Sequence, residues 1–359
     1  LSVSQKQIIE IAKAVRVSPN ILIMDEPSSV LSQKDLERIF QIIRDMRDQN
    51  VLVLYISHRL DEVFQISDRV TVLKDGCLVG TVPTMETDRP ALVRMMVGRE
   101  VSEIFPNRIS ARDSEVLSVS GLSRDRAFRD ISFSAARGEI LGFYGLVGSG
   151  RTEMARCVFG ADKPTSGEIR VGGRPVRPST PRKGLDEGIS MLTEDRSHDG
   201  LVLFLSIRDN VSLASLHKLS KCGILRRKLQ DSRVRTLIGR LRINPGNPDK
   251  PVQALSGGNQ QKVVFAKWLM LETPILILDE PTRGVDVATK HEIYAIIRGL
   301  ADSGTTILLI SSELPEVIGL SDRIIVLREG QMVGEFQKQE ATEEKLLACA
   351  AGVTERKGT

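Results

Sequence analysis

Residues 140–152 read Ile-Leu-Gly-Phe-Tyr-Gly-Leu-Val-Gly-Ser-Gly-Arg-Thr, an apolar strand that runs into a glycine-rich turn and then a helix start. From Gly145 to Thr152 the turn fits G-x-x-x-x-G-K-[ST], except that Arg151 stands at the lysine position. Gly145, Gly148 and Gly150 let the backbone curl around Ser149 so that successive N–H groups face inward. The helix that follows adds the positive end of its dipole, so the turn suits phosphate oxygens, with Thr152 placed to hold a divalent cation. Arg151 keeps the charge, but its planar fork is bulkier than an ammonium and cannot take the same place between two phosphates. Nucleotide binding is therefore expected to survive better than hydrolysis. Alone, a glycine-rich strand-to-helix turn with arginine is more often an ordinary tight turn than a phosphate site, and its neighbours have to decide.

Two of those neighbours carry acid pairs. Ile275-Leu-Ile-Leu-Asp279-Glu280-Pro281 and Ile21-Leu-Ile-Met-Asp25-Glu26-Pro27 each read as a buried strand ending in two carboxylates, which are costly to bury without a task. Beside a phosphate loop the first acid can hold a magnesium ion and the second can polarise the attacking water. The plain alternative for one such pair is capping of the following helix, but the pair occurs twice. A third motif, Leu255-Ser-Gly-Gly-Asn-Gln-Gln261, opens a helix whose Phe265, Ala266 and Leu269 share a face. Ser256 as N-cap with two exposed amides, Gly257 and Gly258, makes a second anion site.

Laid against itself, the chain matches without gaps at one offset: Leu1 with Leu255, Asp25 with Asp279, Asp68 with Asp322, Gly98 with Gly352, each 254 apart (279 − 25). A period of this length reads as duplicated domains rather than a solenoid. Residues 1–100 are expected to be the C-terminal part of a first nucleotide-binding domain, 101–114 a linker, and 115–359 a complete second one. The offset places the start of the first copy ahead of Leu1, so the chain reads as a fragment. Strands alternate with helices: Ile21–Met24, a helix around Asp35–Arg47, Val51–Ile56, and again Ile275–Leu278, Ile293–Leu300, Thr306–Ile310. That order signals a parallel α/β sheet with its site at the carboxyl ends of the strands.

Composition narrows the classes. With 41% hydrophobic and 27% charged residues in 359, the chain is an ordinary globular protein, not a disordered one. No apolar run approaches the ~18 residues that span a bilayer, so any membrane role is peripheral. Cys77, Cys157, Cys222 and Cys349 have no metal-site or disulfide-framework spacing, which suggests a reducing compartment. A net charge of +4 over this length reads as a solvated surface, and no nucleic-acid partner is expected. Arg-rich Leu225–Arg242 reads as a helical insert, and Thr342–Ala351 as a helix packing Leu346, Leu347 and Ala350 on its own domain.

The phosphate loop, the L-S-G-G-x-Q-Q signature and the apolar-D-E-P pair, in this order, resemble an ABC-transporter ATPase. Glu194-Asp195-Arg196 followed by Asp199-Gly200-Leu201, with Ile310-Ser311-Ser312-Glu313-Leu314, is similar to the tandem ATPases of bacterial monosaccharide importers of the ribose, galactose or xylose type. The resemblance covers essentially the whole chain. It implies an α/β P-loop fold: a RecA-like parallel core with a helical subdomain and an antiparallel β subdomain, as a partial first copy plus a complete second. It also implies ATP and Mg²⁺ as cofactors and a peripheral seat on the cytoplasmic face of the inner membrane. The implied partners are two membrane permeases, through them a periplasmic sugar-binding protein, and a P-loop segment belonging to the first copy.

In that family the two halves close head to tail, so each ATP lies between one phosphate loop and the other half's signature. One site then combines Gly145, Gly148, Ser149, Gly150, Arg151, Thr152, Asp279 and Glu280 with the degenerate Ser2-Val3-Ser4, and hydrolysis there is expected to be slow or absent. It has Ser312 where the first copy has the switch residue His58. The other combines Asp25, Glu26 and His58 with the intact Ser256, Gly257 and Gly258. Glu194 falls where the family couples nucleotide to membrane partner, often with glutamine. Two rivals are a nucleotide-holding module with little turnover and a soluble tandem ATPase acting on ribosomes; the short linker weighs against the second.

Overall fold

The computed structural model describes residues 3–17, 19–27, 33–57, 60–74, 77–97, 114–146 and 148–352. Ser2, His58 and residues 101–113 of the expected linker lie outside them. The described chain divides into two compact units, Leu1–Glu103 with Asp286–Ala288, and Ile104–Val285 with Thr289–Thr359.

The first unit contains α1 (Val3–Arg16), β1 (Ile21–Asp25), α2 (Gln33–Asp48), β2 (Leu52–Ile56), α3 (Leu60–Ile66), β3 (Arg69–Lys74), β4 (Cys77–Pro83) and α4 (Arg89–Val97). Parallel β1 and β2 pack Leu22 and Met24 against Ile11 of α1 and Ile39 and Phe40 of α2. A strand's side chains alternate between faces, and here only one face is covered. Ile21 and Ile23 are 57% and 63% exposed, and Leu52, Leu54 and Ile56 lie open beside them. The expectation of a fully buried strand before Asp25 therefore fails: β1 alternates exposed and buried, and Asp25 and Glu26 are exposed.

The second unit runs β5 (Glu115–Arg124), β6 (Phe128–Ala136), β7 (Ile140–Tyr144), α5 (Arg151–Phe159), β8 (Ser166–Val171), β9 (Arg174–Val176), α6 (Pro181–Asp186), β10 (Ile189–Leu192) and a π turn at Arg196–Gly200. A helical segment follows: α7 (Ile207–Ser212), α8 (Leu216–Leu219), the short β11 (Ser220–Lys221) and β12 (Ile224–Leu225), α9 (Arg227–Arg240) and α10 (Gly257–Leu269). The chain then returns through β13 (Ile275–Asp279), α11 (Val287–Asp302), β14 (Thr306–Ile310), α12 (Leu314–Leu320), β15 (Arg323–Arg328), β16 (Gln331–Gln337) and α13 (Glu343–Ala351). Its central six-stranded sheet has the order β10-β13-β14-β7-β15-β16, parallel except for the β15–β16 pair, and β6-β5-β8-β9 form an antiparallel sheet. The fold is thus the expected P-loop type, with core, helical and antiparallel parts.

Every residue of β7, β13 and β14 is buried. Alternate residues feed two cores, as the period of two dictates. Leu276, Leu278, Ile307 and Leu309 meet Phe265 and the helical segment. Ile275, Ile277, Leu308 and Ile310 meet Met154 and Val158 of α5 and the antiparallel sheet. At about 1.5–3 kcal/mol for each buried Ile or Leu side chain, these strands are pinned. Their carboxyl ends place Gly145, Asp279 and Ser311 along one edge. The helix expected at Ile293–Leu300 begins earlier, at Val287, and α13 packs Leu346 and Ala350 on its own unit while Leu347 stays exposed.

The two units repeat the same internal geometry at the offset seen in the sequence. Asp25 pairs with Ile56 as Asp279 does with Ile310, and Glu26 N donates to Ile56 O at 2.9 Å as Glu280 N does to Ile310 O. The β3–β4 and β15–β16 hairpins share register and a bulge, after Val72 and after Val326.

Candidate nucleotide site

The turn after β7 is built from positions that only glycine fills without strain. Gly145 has no room for a side chain, since an added carbon would lie 2.3 Å from Leu327 O. Gly148 and Gly150 have φ of 81° and 92°. Ser149 N donates to Leu146 O at 3.0 Å and closes the curl, and α5 starts at Arg151. The first-turn N–H groups of α5 thus join the turn's amides, in the manner of a phosphate cradle.

Thr152 Oγ1 donates to Asp279 Oδ1 at 3.3 Å, which ties α5 to the end of β13. Asp279 is 1% exposed, and its Oδ2 is buried with no partner among the described residues; Ser149 Oγ is likewise unpartnered. Burial pushes the Asp279 carboxyl up to about 6, against the pull of the Thr152 hydrogen bond. Glu280 is raised by burial in the same way, with Ser312 Oγ donating to its Oε1. Its φ of 49°, and 44° at Glu26, are left-handed values that cost a non-glycine residue about 1–3 kcal/mol. The second acid of the pair has this left-handed backbone in both units.

Arg151 is 8% exposed, and its Nη1 donates to Ser311 O at 2.7 Å. Burial lowers its pKa, which Glu280 and Asp279 oppose. The guanidinium therefore lies down against the end of β14 instead of standing over the turn. Glu194 is exposed and paired with Arg283, and a cleft of about 590 Å³ opens between Thr152, Glu194, Asp279 and Arg283. Ser256 caps α10, its hydroxyl accepting from Asn259 N. The expectation of two exposed signature amides needs correction: Gly258 is buried against Thr289, and Gly257 is half-buried.

The structure therefore brings Gly145, Gly148, Ser149, Gly150, Arg151, Thr152, Asp279, Glu280 and Ser312 together. A buried, unpartnered carboxylate oxygen next to a hydroxyl is a hard donor set that fits Mg²⁺, which takes one or two protein oxygens and fills the rest with phosphates and water. No group of three or more His, Cys, Asp or Glu side chains gathers among the described residues.

The family model described as "ABC transporter" matches residues 128–283. The chain is 46% identical over 352 residues, 98% of its length, to the ribose import ATP-binding protein RbsA of Geobacillus kaustophilus, covering 71% of that protein. It is 48% identical over 356 residues to the ribose import ATP-binding protein RbsA 3 of Rubrobacter xylanophilus, 99% of this chain and 71% of that one. This chain belongs to the ATP-binding proteins of ABC transporters. Among solved structures, cbiO1 of Clostridium perfringens, part of the ABC transporter complex cbiONQ, superimposes with a TM-score of 0.56 at 24% identity, over 68% of this chain and 96% of that one. No helix among the described residues of this ABC protein is long and apolar enough to cross a membrane.

Sequence reasoning missed Glu316. It is 1% exposed, and its Oε2 accepts from Ser311 Oγ at 2.7 Å and Thr282 Oγ1 at 3.0 Å, so one oxygen holds both the segment before Ser312 and the turn after the acid pair. Glu62 repeats this with Ser57 Oγ at 3.0 Å and Tyr55. Its place four residues after Ser312, alone on an otherwise apolar helix start, was the available signal. Burial raises the Glu316 carboxyl to about 7 from 4.5. A raised pKa means that the folded state holds the proton more tightly, so stability is fully present below about 4.5 and falls as pH rises to about 7. The Glu316→Gln variant is expected to lose this slope, changing the pH 5-to-8 stability difference by on the order of 2–3 kcal/mol. Urea unfolding across that range checks it; an unchanged slope contradicts it.

Proposed function

We propose that the chain is an ATP-binding and ATP-hydrolysing subunit that drives sugar import through membrane permeases, working peripherally on the cytoplasmic face of the inner membrane. The relatives named as ribose import proteins support the sugar. The observation that carries the reading is the Thr152–Asp279 contact at the end of a glycine cradle, beside a buried carboxylate oxygen with no partner among the described residues. Residues 145–152 hold the phosphates, Thr152 and Asp279 hold Mg²⁺, and Glu280 orients the attacking water. When bound, Mg²⁺ neutralises charge on the transferring phosphoryl group. Glu194 lies across the cleft, where it senses the nucleotide.

Units 1–100 and 115–359 act as two halves of a tandem pair. Support comes from the repeated register, the repeated left-handed glutamate and the repeated Ser–Glu contact. On this reading Asp25 and Glu26 are the first copy's metal-holding and water-polarising acids, as Asp279 and Glu280 are the second's, and His58 is its switch residue. A P-loop segment of the first copy covers the open face of β1 and β2, as α5 and the antiparallel sheet cover that face of the second unit.

The arginine's bond to Ser311 O favours a second feature: the site at Thr152 holds ATP with little turnover. The given chain is expected to bind ATP yet release phosphate at least tenfold below the ~1 s⁻¹ of slow ordinary enzymes. Phosphate release under saturating MgATP measures this. Ordinary turnover would exclude the impaired-site reading, whereas absence of ATP binding would exclude the function itself.

A further inference from the structure

The helical segment of the second unit carries a small hairpin between α8 and α9. β11 and β12 pair antiparallel, with Ser220 opposite Leu225 and Lys221 opposite Ile224. Between them Cys222 and Gly223 have left-handed φ of 52° and 78°, the backbone of a tight two-residue turn. Directly opposed residues share a face, so one face of the hairpin presents Lys221 and Ile224 together. Ile224 is 74% exposed, and Lys221 is exposed beside it. Ser220 and Leu225, on the other face, are half-buried, and Leu219 just before the hairpin is fully buried. Arg226 N donates to Leu219 O at 3.0 Å, and Lys218 Nζ donates to Leu271 O at 2.6 Å, which ties this stretch to the end of α10.

The charge around this hairpin is of one sign. From Asn210 to Gln230 the chain has five lysines and arginines and no aspartate or glutamate. Lys221, Arg226, Arg227 and Lys228 are exposed and make no ion pair among the described residues. The flanking acids are engaged elsewhere: Ser206 Oγ donates to Asp209 at 2.6 Å, and Asp231 pairs with Arg208 and Arg235. Cations clustered without acids attract an anionic surface, and an apolar side chain on the same face adds insertion to attraction. A protein partner would need roughly 800 Å² of closely packed surface a side with an apolar core. One isoleucine among four cations does not supply that core, whereas a lipid headgroup layer accepts both.

We propose that the hairpin Ser220–Leu225 and the start of α9 dock on an anionic lipid surface. Ile224 enters the headgroup layer, while Lys221, Arg226, Arg227 and Lys228 face the lipid phosphates. The contact needs no nucleotide and uses none of the residues assigned to the site at Thr152, so it stands or falls apart from the nucleotide reading. Each Lys or Arg near such a surface raises affinity about fivefold, a gain that rising salt screens.

Sedimentation of the whole chain with large vesicles, of phosphatidylcholine alone or mixed with phosphatidylglycerol, tests this. The chain should bind the anionic vesicles at least about tenfold more tightly than the neutral ones and lose that preference in high salt. Arg226→Gln, Arg227→Gln and Lys228→Gln combined should weaken binding at least about tenfold, and Ile224→Ser about threefold or more. Removing equal charge from exposed positions elsewhere in the unit, by Arg174→Gln, Arg177→Gln and Lys183→Gln together, should change binding by less than about twofold. Every variant should keep the ATP affinity of the wild type, which shows the unit folded and reports on the nucleotide reading separately. Equal binding to both kinds of vesicle, unchanged binding in either hairpin variant, or equal weakening by the two charge sets overturns the inference. No binding to either vesicle also overturns it and leaves the surface to a protein partner.

Discussion

Gly150→Ala is expected to weaken ATP binding by at least tenfold and to destabilise the second unit by about 2 kcal/mol. The φ of 92° at this position is foreign to L-residues, and an added carbon would lie 2.9 Å from Ala127 O and 3.3 Å from Gly330 Cα. Neither neighbour is a flexible side-chain end, so the turn has to move and its amides with it. Gly148→Ala separates the two effects. It has a comparable φ of 81° but open space around the added carbon, so it bears strain without collision and should lose less stability. Equal losses at both positions, or ATP affinity unchanged at Gly150, would contradict the cradle.

Asp279→Asn should cut the Mg²⁺-dependent gain in ATP affinity at least tenfold while making the nucleotide-free chain more stable at neutral pH. A carboxyl raised from 3.8 to about 6 by burial is more readily protonated in the folded state. Its contribution to stability is present below about 4 and is lost as pH rises through 6. Above that, the buried charge costs on the order of 1–3 kcal/mol, with the Arg151 charge offsetting part of it. Asparagine can still accept from Thr152 but bears no charge. Thermal unfolding should therefore favour the variant at pH 7.5, with the advantage shrinking as pH falls and little difference left below about pH 4. Lower stability at pH 7.5, or an unaltered Mg²⁺ response, would count against Asp279 as the ion's ligand.

Much of this was legible in the sequence because backbone needs are written in residue types. Glycines at 145, 148 and 150, four-residue apolar runs before Asp279 and after Thr306, and Ser256 before a helix each have one economical structure, and each formed it. What the sequence could not show were contacts between segments far apart along the chain. The bond from Arg151 to Ser311 O, the seat of Arg196 against Gly257 and the grip of Glu316 on Thr282 depend on which strand ends lie side by side. Burial was misjudged for a related reason. The apolar run Ile21–Met24 resembles Ile275–Leu278, yet a strand is buried on both faces only where something covers both, and composition carries no record of the cover.

Calorimetric titration of the chain with ATP, with and without Mg²⁺, tests the central claim that nucleotide phosphates rest on the turn before Thr152. One ATP per chain is predicted, bound at least tenfold more tightly with Mg²⁺ and abolished or severely weakened by Gly150→Ala. ATP binding that ignores both Mg²⁺ and Gly150→Ala, or no binding at all, would contradict it.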